Sequence, residues 1–438
     1  MSRRQLCSEK ELYVMKKSTN SLIPIGLMLF ALFFGAGNLI FPVFMGQNSG
    51  VNTIPATIGF LLTGVGLPIL AVAAIGYSGS DLQALASRIH PKYAVFFTVL
   101  LYITIGPAFA TPRTATTSFE IAVAPFFGSA MKQMALYVFC FIFFVVSWWL
   151  SVTPTKLVNR IGKVITPVLL LFLALLFVFS IIHPMGPWQP ATDSYRDGIK
   201  ALTQGFLDGY GTMDALAAFV FGIIVINSVR QYGAKTNEEV ALSTLKSGLI
   251  AGFFLAIIYV FLCFLGASSV TTLGMQENGA GVLVGSARYY FGSYGRIVMG
   301  VIVLLACLIP ALSYSMWVSA FSIASFFVAL FGLTTIIKAA IPVLMFLYPL
   351  TISLVLLTFT HALFGGYRSV YRMATLFTFV PSLYDGIHTA GLSLGALDSL
   401  MASLPLASYG LGWVSFCIAG LIIGAIASRF SSAKAVQE

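Results

Sequence analysis

Residues 26–46 read GLMLFALFFGAGNLIFPVFMG. The apolar run begins near Ile23 and is long enough to cross a bilayer, whose hydrocarbon core of about 30 Å takes roughly 20 helical residues. Its middle is Phe33-Phe34-Gly35-Ala36-Gly37-Asn38-Leu39-Ile40-Phe41-Pro42. Glycine and asparagine are weak helix formers and proline lacks an amide donor. The segment therefore reads as a helix interrupted near Gly35 to Asn38, with Pro42 ending the stretch. In lipid, broken backbone persists only where it is buried in protein or lines a cavity. Such a break frees amides at the start of one half-helix and carbonyls at the end of the other. The first attract carboxylates, the second cations or ammonium groups. Close packing through small residues gives a similar composition.

The composition around this segment fits a bilayer. Of 438 residues, 58% are hydrophobic and 9% charged, against roughly 25% charged in a soluble domain. So few charges cannot cover a water-facing surface, so lipid is the main solvent. We expect an all-α polytopic membrane protein with twelve spans at about 23–45, 54–76, 94–112, 134–153, 164–182, 203–229, 248–270, 297–315, 317–337, 339–360, 374–395 and 405–428. They form one transmembrane domain over residues 21–430, between tails at 1–20 and 431–438. The first apolar run is too long for a signal peptide and lacks a small-residue cleavage pattern, so none is expected. Between Arg296 and Lys338 no charge marks a loop. There an odd number of passes must join segment 271–295 to Arg368, and 65 residues suit three. Segment 272–292 suits a short helix on the outer face.

A net charge of +10 raises the question of nucleic acid. The distribution answers it: in this layout seventeen of the 24 Lys and Arg fall on the side of the two termini. Basic loops mark the cytoplasmic side, so both termini are expected in the cytoplasm, the protein in a bacterial inner membrane, and no nucleic-acid partner. Oligomeric state leaves no mark in the sequence. Cys7, Cys140, Cys263, Cys307 and Cys417 form no CxxC pair, so neither a disulfide framework nor a metal site is expected.

The sixth span contains Gly205-Phe206-Leu207-Asp208-Gly209-Tyr210-Gly211-Thr212-Met213-Asp214-Ala215-Leu216-Ala217-Ala218-Phe219. Asp214 falls near mid-span, where an ionisable group is costly and marks a functional site by default. The alternative is a carboxylate that caps a half-helix or pairs with a neighbour. Asp208 lies nearer the outer interface. Interruptions in spans one and six stand five spans apart, as two inverted five-span repeats would place them, and such a pair points to a transporter's binding site. In span three, Pro107 and Pro112 suggest a kink and a stop, with Arg113 anchoring the outer end. Tyr102, one turn before the kink, suits either the cavity or packing.

Enzyme chemistry finds little support. Gly391-Leu392-Ser393-Leu394-Gly395 matches GxSxG, but the region is apolar and no histidine follows His388, as the usual triad order requires. His90, His183, His361 and His388 form no metal motif, and no phosphate-binding loop is present. No cofactor is expected. A passive channel or an exchanger for another small apolar solute is the alternative to a coupled carrier.

The chain resembles the bacterial branched-chain amino acid:cation symporter family. The resemblance rests on GLMLFALFFGAGNLIFPVFMG (26–46), GFLLTGVGLPIL (59–70), FATPRTATTSFE (109–120), GYGTMDALAAFVFGIIVIN (209–227) and IPVLMFLYP (341–349). It implies the inverted-repeat fold of the leucine-transporter type, with spans one to ten as its core and two additional spans. It implies import of Leu, Ile and Val driven by sodium or protons. Substrate would lie beside Gly35, Ala36, Gly37 and Asn38 at the first break and Asp214, Ala215, Ala218 and Phe219 at the second, with Tyr102 a further candidate. A coupling cation would take carbonyls of Ala31 and Phe34, with Ser313 in span eight. Two departures stand out: Ile309-Pro310 replace hydroxyl residues of the family pattern, and the stretch from Cys307 to Gly332 is shorter.

Overall fold

The computed structural model describes residues 22–152, 156–308 and 317–430. Among the described residues, each of the twelve expected spans overlaps a helix and no strand is present. Among them, six helical segments are long and apolar enough to cross a bilayer by length and composition alone. Leu22–Phe33, Val168–Ile182, Ser319–Ala329 and Gly412–Ser428 are apolar but shorter. The periphery is a belt of exposed apolar side chains, including Phe141, Leu171, Phe253 and Ile422. Asn38, Arg113, Asp214 and many hydroxyl residues are buried inside. That inverts the arrangement of a water-soluble protein, as a hydrocarbon solvent requires.

The packing repeats itself after five spans. Span 6 (residues 198–231) lies along span 2 (residues 53–78), as span 1 lies along span 7 (Asn237–Leu273). The helix Gly279–Leu308, whose later part is span 8, packs on span 5 (Lys156–Ile182), as span 3 (residues 91–122) packs on span 10 (Leu333–Phe359). Span 8 also meets span 3, and span 9 (Trp317–Ala329) meets span 4 (Ser129–Val152). Exchanging every span with the one five places on maps these contacts onto one another. Five is odd, so the second set enters the membrane from the opposite face. Span 11 (Arg368–Thr389) packs on spans 10 and 12 (Gly412–Phe430), outside the repeat.

Several boundaries differ from expectation. The helix Ala36–Ser49 runs on through Pro42. Span 3 bends at residues 104–108, where Gly106 leaves helical geometry, and resumes as Ala110–Ala122 instead of stopping at residue 112. Pro112 sits in the first turn of that second segment, where amides need no helical acceptor. Span 9 ends at Ala329 and span 10 begins at Leu333, six residues before the expected start. The turn between them rests on Gly332 at φ +80°. The short helix expected within 272–292 appears at the start of Gly279–Leu308, separated from span 8 by a kink at Gly292.

Two interfaces are closed down to backbone contact. A Cβ at Gly46 would stand 2.1 Å from the Cys263 carbonyl oxygen of span 7, and one at Gly266 2.0 Å from that of Val43. Between spans 2 and 6, a Cβ at Gly59 would stand 1.9 Å from the Leu202 oxygen, and one at Gly205 2.0 Å from that of Ala56. Nearer the N-terminal face the same spans meet through side chains, Gly26 first facing Ile250 and Gly222 facing Ile75. Gly59→Ala must push two helices apart and is expected to cost about 3 kcal/mol or more. Size-exclusion profile and melting temperature of the purified variant measure it, and wild-type behaviour in both would show that this interface yields.

Candidate functional site

The first break falls between Phe33 and Ala36. Gly35 adopts extended backbone (φ −132°, ψ −169°) before the helix Ala36–Ser49. A continuous helix would aim the Gly35 amide at the Ala31 carbonyl; here it donates to Asn38 Oδ1 at 3.2 Å. The Ala31 carbonyl is thereby released, and the amides opening the second half-helix point away from the ladder. Asn38 turns its other side-chain atom inward: Nδ2 donates to Asp214 Oδ2 at 2.6 Å and to the Tyr259 hydroxyl. Tyr259 also donates to Asp214 Oδ2, at 3.0 Å. These buried bonds tie spans 1, 6 and 7 together at the level of the breaks.

The second break follows the same logic with charges added. The helix Gly198–Asp208 tightens into a turn over Gly209–Thr212. Met213 then takes the left-handed conformation (φ +65°, ψ +9°), and Asp214 opens the helix Asp214–Gln231. A left-handed residue with a side chain costs roughly 1–2 kcal/mol, so the surroundings must hold it. Arg113 does much of this. It is 4% exposed, and its Nη1 donates to the Gly211 oxygen at 2.6 Å and Nη2 to that of Thr212 at 3.4 Å. A cation thus sits on the carbonyl end of one half-helix and a carboxylate at the amide end of the next, each opposite the local helix dipole. No ion pair within 4 Å joins Arg113 to Asp214 among the described residues.

Between the breaks lies a cavity of about 130 Å³. Gly35, Ala36, Gly37, Asn38 and Asp214 line it, as the sequence suggested, together with Arg113, Thr212 and Met213. Apolar walls come from Leu32, Phe33, Ile105, Ala217 and Phe221. These belong to the halves of spans 1, 3 and 6 that lead to the N-terminal face. On the opposite side the cavity is closed. Phe41 lies under the Arg113 guanidinium at 5.2 Å, and Tyr210 stacks on Tyr348 with centroids 4.1 Å apart. Beyond that layer is a second cavity of about 100 Å³, lined by Phe41, Tyr210, Gly211, Gln204 and Asp208 among others. Asp208 accepts from Gln204 at 2.9 Å and from the Tyr195 hydroxyl.

Other expected residues lie elsewhere. Ala215, Ala218 and Phe219 are buried in the core and do not line the central cavity; on that helix Asp214, Ala217 and Phe221 do. A helical turn of 3.6 residues puts these three on one face and turns Phe219 away. Tyr102 is 40% exposed and also does not line it. Phe34 is buried and stacked on Phe30, while Ala31 is exposed. Ser313 and the Ile309-Pro310 pair lie outside the described residues. The residue missed was Arg113, placed by sequence at the outer end of span 3. The π-turn at 104–108 carries the helix past Pro112 and brings Arg113 to the middle of the protein. The signal for it was a proline pair that could mark a bend as well as an end.

Two discontinuous helices facing each other across a small cavity, in a body clad in apolar side chains, define a multi-span membrane transport protein. The chain belongs to the branched-chain amino acid transport protein family, whose sequence profile matches residues 18–431. It is 44% identical to the branched-chain amino acid permease BrnQ of Bacillus subtilis, over 95% of this chain and 98% of that protein. It is 42% identical to the permease BraB of the same species, over 93% and 95%. Identity is 37% to the branched-chain amino acid transport system 2 carrier protein of Pseudomonas aeruginosa, over 93% and 96%. Among solved structures, MhsT in complex with L-phenylalanine matches with a TM-score of 0.46 and 17% identity, covering 92% of this chain and 98% of that one.

Proposed function

We propose that this protein imports leucine, isoleucine and valine across the bacterial cytoplasmic membrane together with a cation, by alternating access. The observation that supports it most is the central cavity between the two helix breaks, polar at the break ends and apolar elsewhere. A zwitterion matches that pattern. Its carboxylate suits the amides opening the helix Ala36–Ser49, and its ammonium suits Asp214. An aliphatic tail suits Leu32, Phe33, Ile105, Ala217 and Phe221. Such a pocket separates Leu from Val weakly, because one methylene is worth only about 1–3 kcal/mol. The aromatic layer at Phe41, Tyr210 and Tyr348 between two cavities supports a site open to one face at a time. The charge distribution supports cytoplasmic termini.

For the cation, the freed carbonyls ending the helix Leu22–Phe33 supply hard oxygen donors. Proteoliposomes are expected to accumulate labelled leucine against its gradient, with isoleucine and valine competing at similar concentrations. Accumulation is measured with a sodium gradient at fixed pH and with a pH gradient without sodium, and at least one should drive it. Equilibration without accumulation under both, or uptake confined to charged or aromatic amino acids, defeats the proposal. Absence of saturation and counterflow would favour a channel.

A further inference from the structure

We infer that Arg113 reads the substrate's carboxylate directly, sharing it with the amides that open the helix Ala36–Ser49. The inference rests on the amino-acid carrier reading and names a residue that fixes its specificity. A guanidinium has five N–H donors and cannot lose its charge in a protein. Among the described residues Arg113 has two acceptors, the Gly211 and Thr212 oxygens, and the second bond is long at 3.4 Å. Its Nε is buried with no hydrogen-bond partner among the described residues. The side chain lines the central cavity. Buried donors are almost always satisfied, and an exception calls for an unseen acceptor.

Geometry selects a carboxylate as that acceptor. A Cβ built on Gly37 would lie 2.7 Å from Arg113 Nη2, so the guanidinium stands directly beside the first turn of the helix Ala36–Ser49. An anion at those amides would meet the guanidinium edge as well. Asp214, the nearest buried carboxylate, is engaged by Asn38 and Tyr259 and makes no ion pair with Arg113. A buried cation and a buried anion that line one small cavity without pairing form the complement of an α-amino acid. A planar fork also suits a carboxylate better than an ammonium point charge does.

The test compares leucine with 3-methylbutylamine, which lacks the carboxylate, and with 4-methyl-2-oxopentanoate, which lacks the ammonium. Binding is measured on purified wild type, Arg113→Gln and Arg113→Lys. Wild type should prefer leucine over the amine. Arg113→Gln should weaken leucine and the oxoacid by about 100-fold, a charge-assisted pair's worth, while the amine changes by less than about threefold. Arg113→Lys should restore part of the preference. Wild type that binds leucine, with the preference over the amine unchanged in Arg113→Gln, overturns the inference and leaves the carrier reading standing. Wild type that binds no leucine overturns both. Should neither variant fold, a structure of the wild type with leucine decides: a carboxylate within about 3.5 Å of the guanidinium supports the inference, and one farther away overturns it.

Discussion

Gly37→Leu is expected to abolish leucine transport while leaving the protein in the membrane. The smallest side chain already meets Arg113 Nη2 at 2.7 Å, Arg113 Cζ at 3.1 Å and the Thr212 oxygen at 3.4 Å. An isobutyl group would displace the guanidinium from the carbonyls it caps and fill part of a cavity of about 130 Å³. The span remains as apolar as before, so insertion is unaffected. Overpacking costs roughly 1–3 kcal/mol, which lowers stability without preventing folding. Transport should fall at least about 100-fold, since a misplacement of about 1 Å at a working site suffices for that. Gly37→Ala should fall between. Uptake into proteoliposomes, normalised to reconstituted protein, measures the effect. Uptake by the leucine variant at the wild-type rate would show that the first break serves only packing.

Asp214 gives the second large effect, and two substitutions separate its roles. Asp214→Asn keeps an oxygen acceptor for Asn38 Nδ2 and the Tyr259 hydroxyl, so the junction of spans 1, 6 and 7 should survive and the melting temperature should change little. The charge is lost, which would leave a bound ammonium without its counterion. Truncating one partner of a buried charge pair formed on binding typically costs about 2–5 kcal/mol of binding, so transport should drop by about 100-fold or more. Asp214→Ala also strands two buried donors at roughly 1–3 kcal/mol each, and should lower thermal stability as well as transport. Transport by Asp214→Asn within twofold of wild type would show that this carboxylate only caps a half-helix.

Much of this was legible in the chain, for identifiable reasons. The solvent was written in the scarcity of charge, and the spans followed from bilayer thickness. The breaks were legible because glycines, an asparagine and an acid interrupted otherwise apolar runs, and their spacing of five spans suggested the repeat. The limits are equally physical. Nothing between Arg296 and Lys338 carries a charge, so only the φ of Gly332 separates spans 9 and 10. Proline punctuates a helix, but Pro42 lies inside one and Pro112 opens one. Arg113 was misplaced for that reason. Ala215, Ala218 and Phe219 came with the family resemblance, whereas on that helix the cavity is lined by Asp214, Ala217 and Phe221.

The glycine contacts away from the site carry a mechanical consequence. Gly46 and Gly266 press span 1 beyond its break onto span 7, and Gly59 and Gly205 press span 6 before its break onto span 2, in each case backbone on backbone. Surfaces meshed at that depth cannot slide by a fraction of a residue without collision. Each pair must therefore travel as one stiff beam. The other halves of spans 1 and 6 meet their neighbours first at the side chains of Ile250 and Ile75, 2.7 and 2.8 Å from the added Cβ, and not at a backbone oxygen near 2 Å. The looser meshing is thus on the N-terminal face, and the tighter on the other. Motion that enlarges the cavity toward the N-terminal face would shift the looser contacts, while motion toward the opposite face would have to swing whole beams.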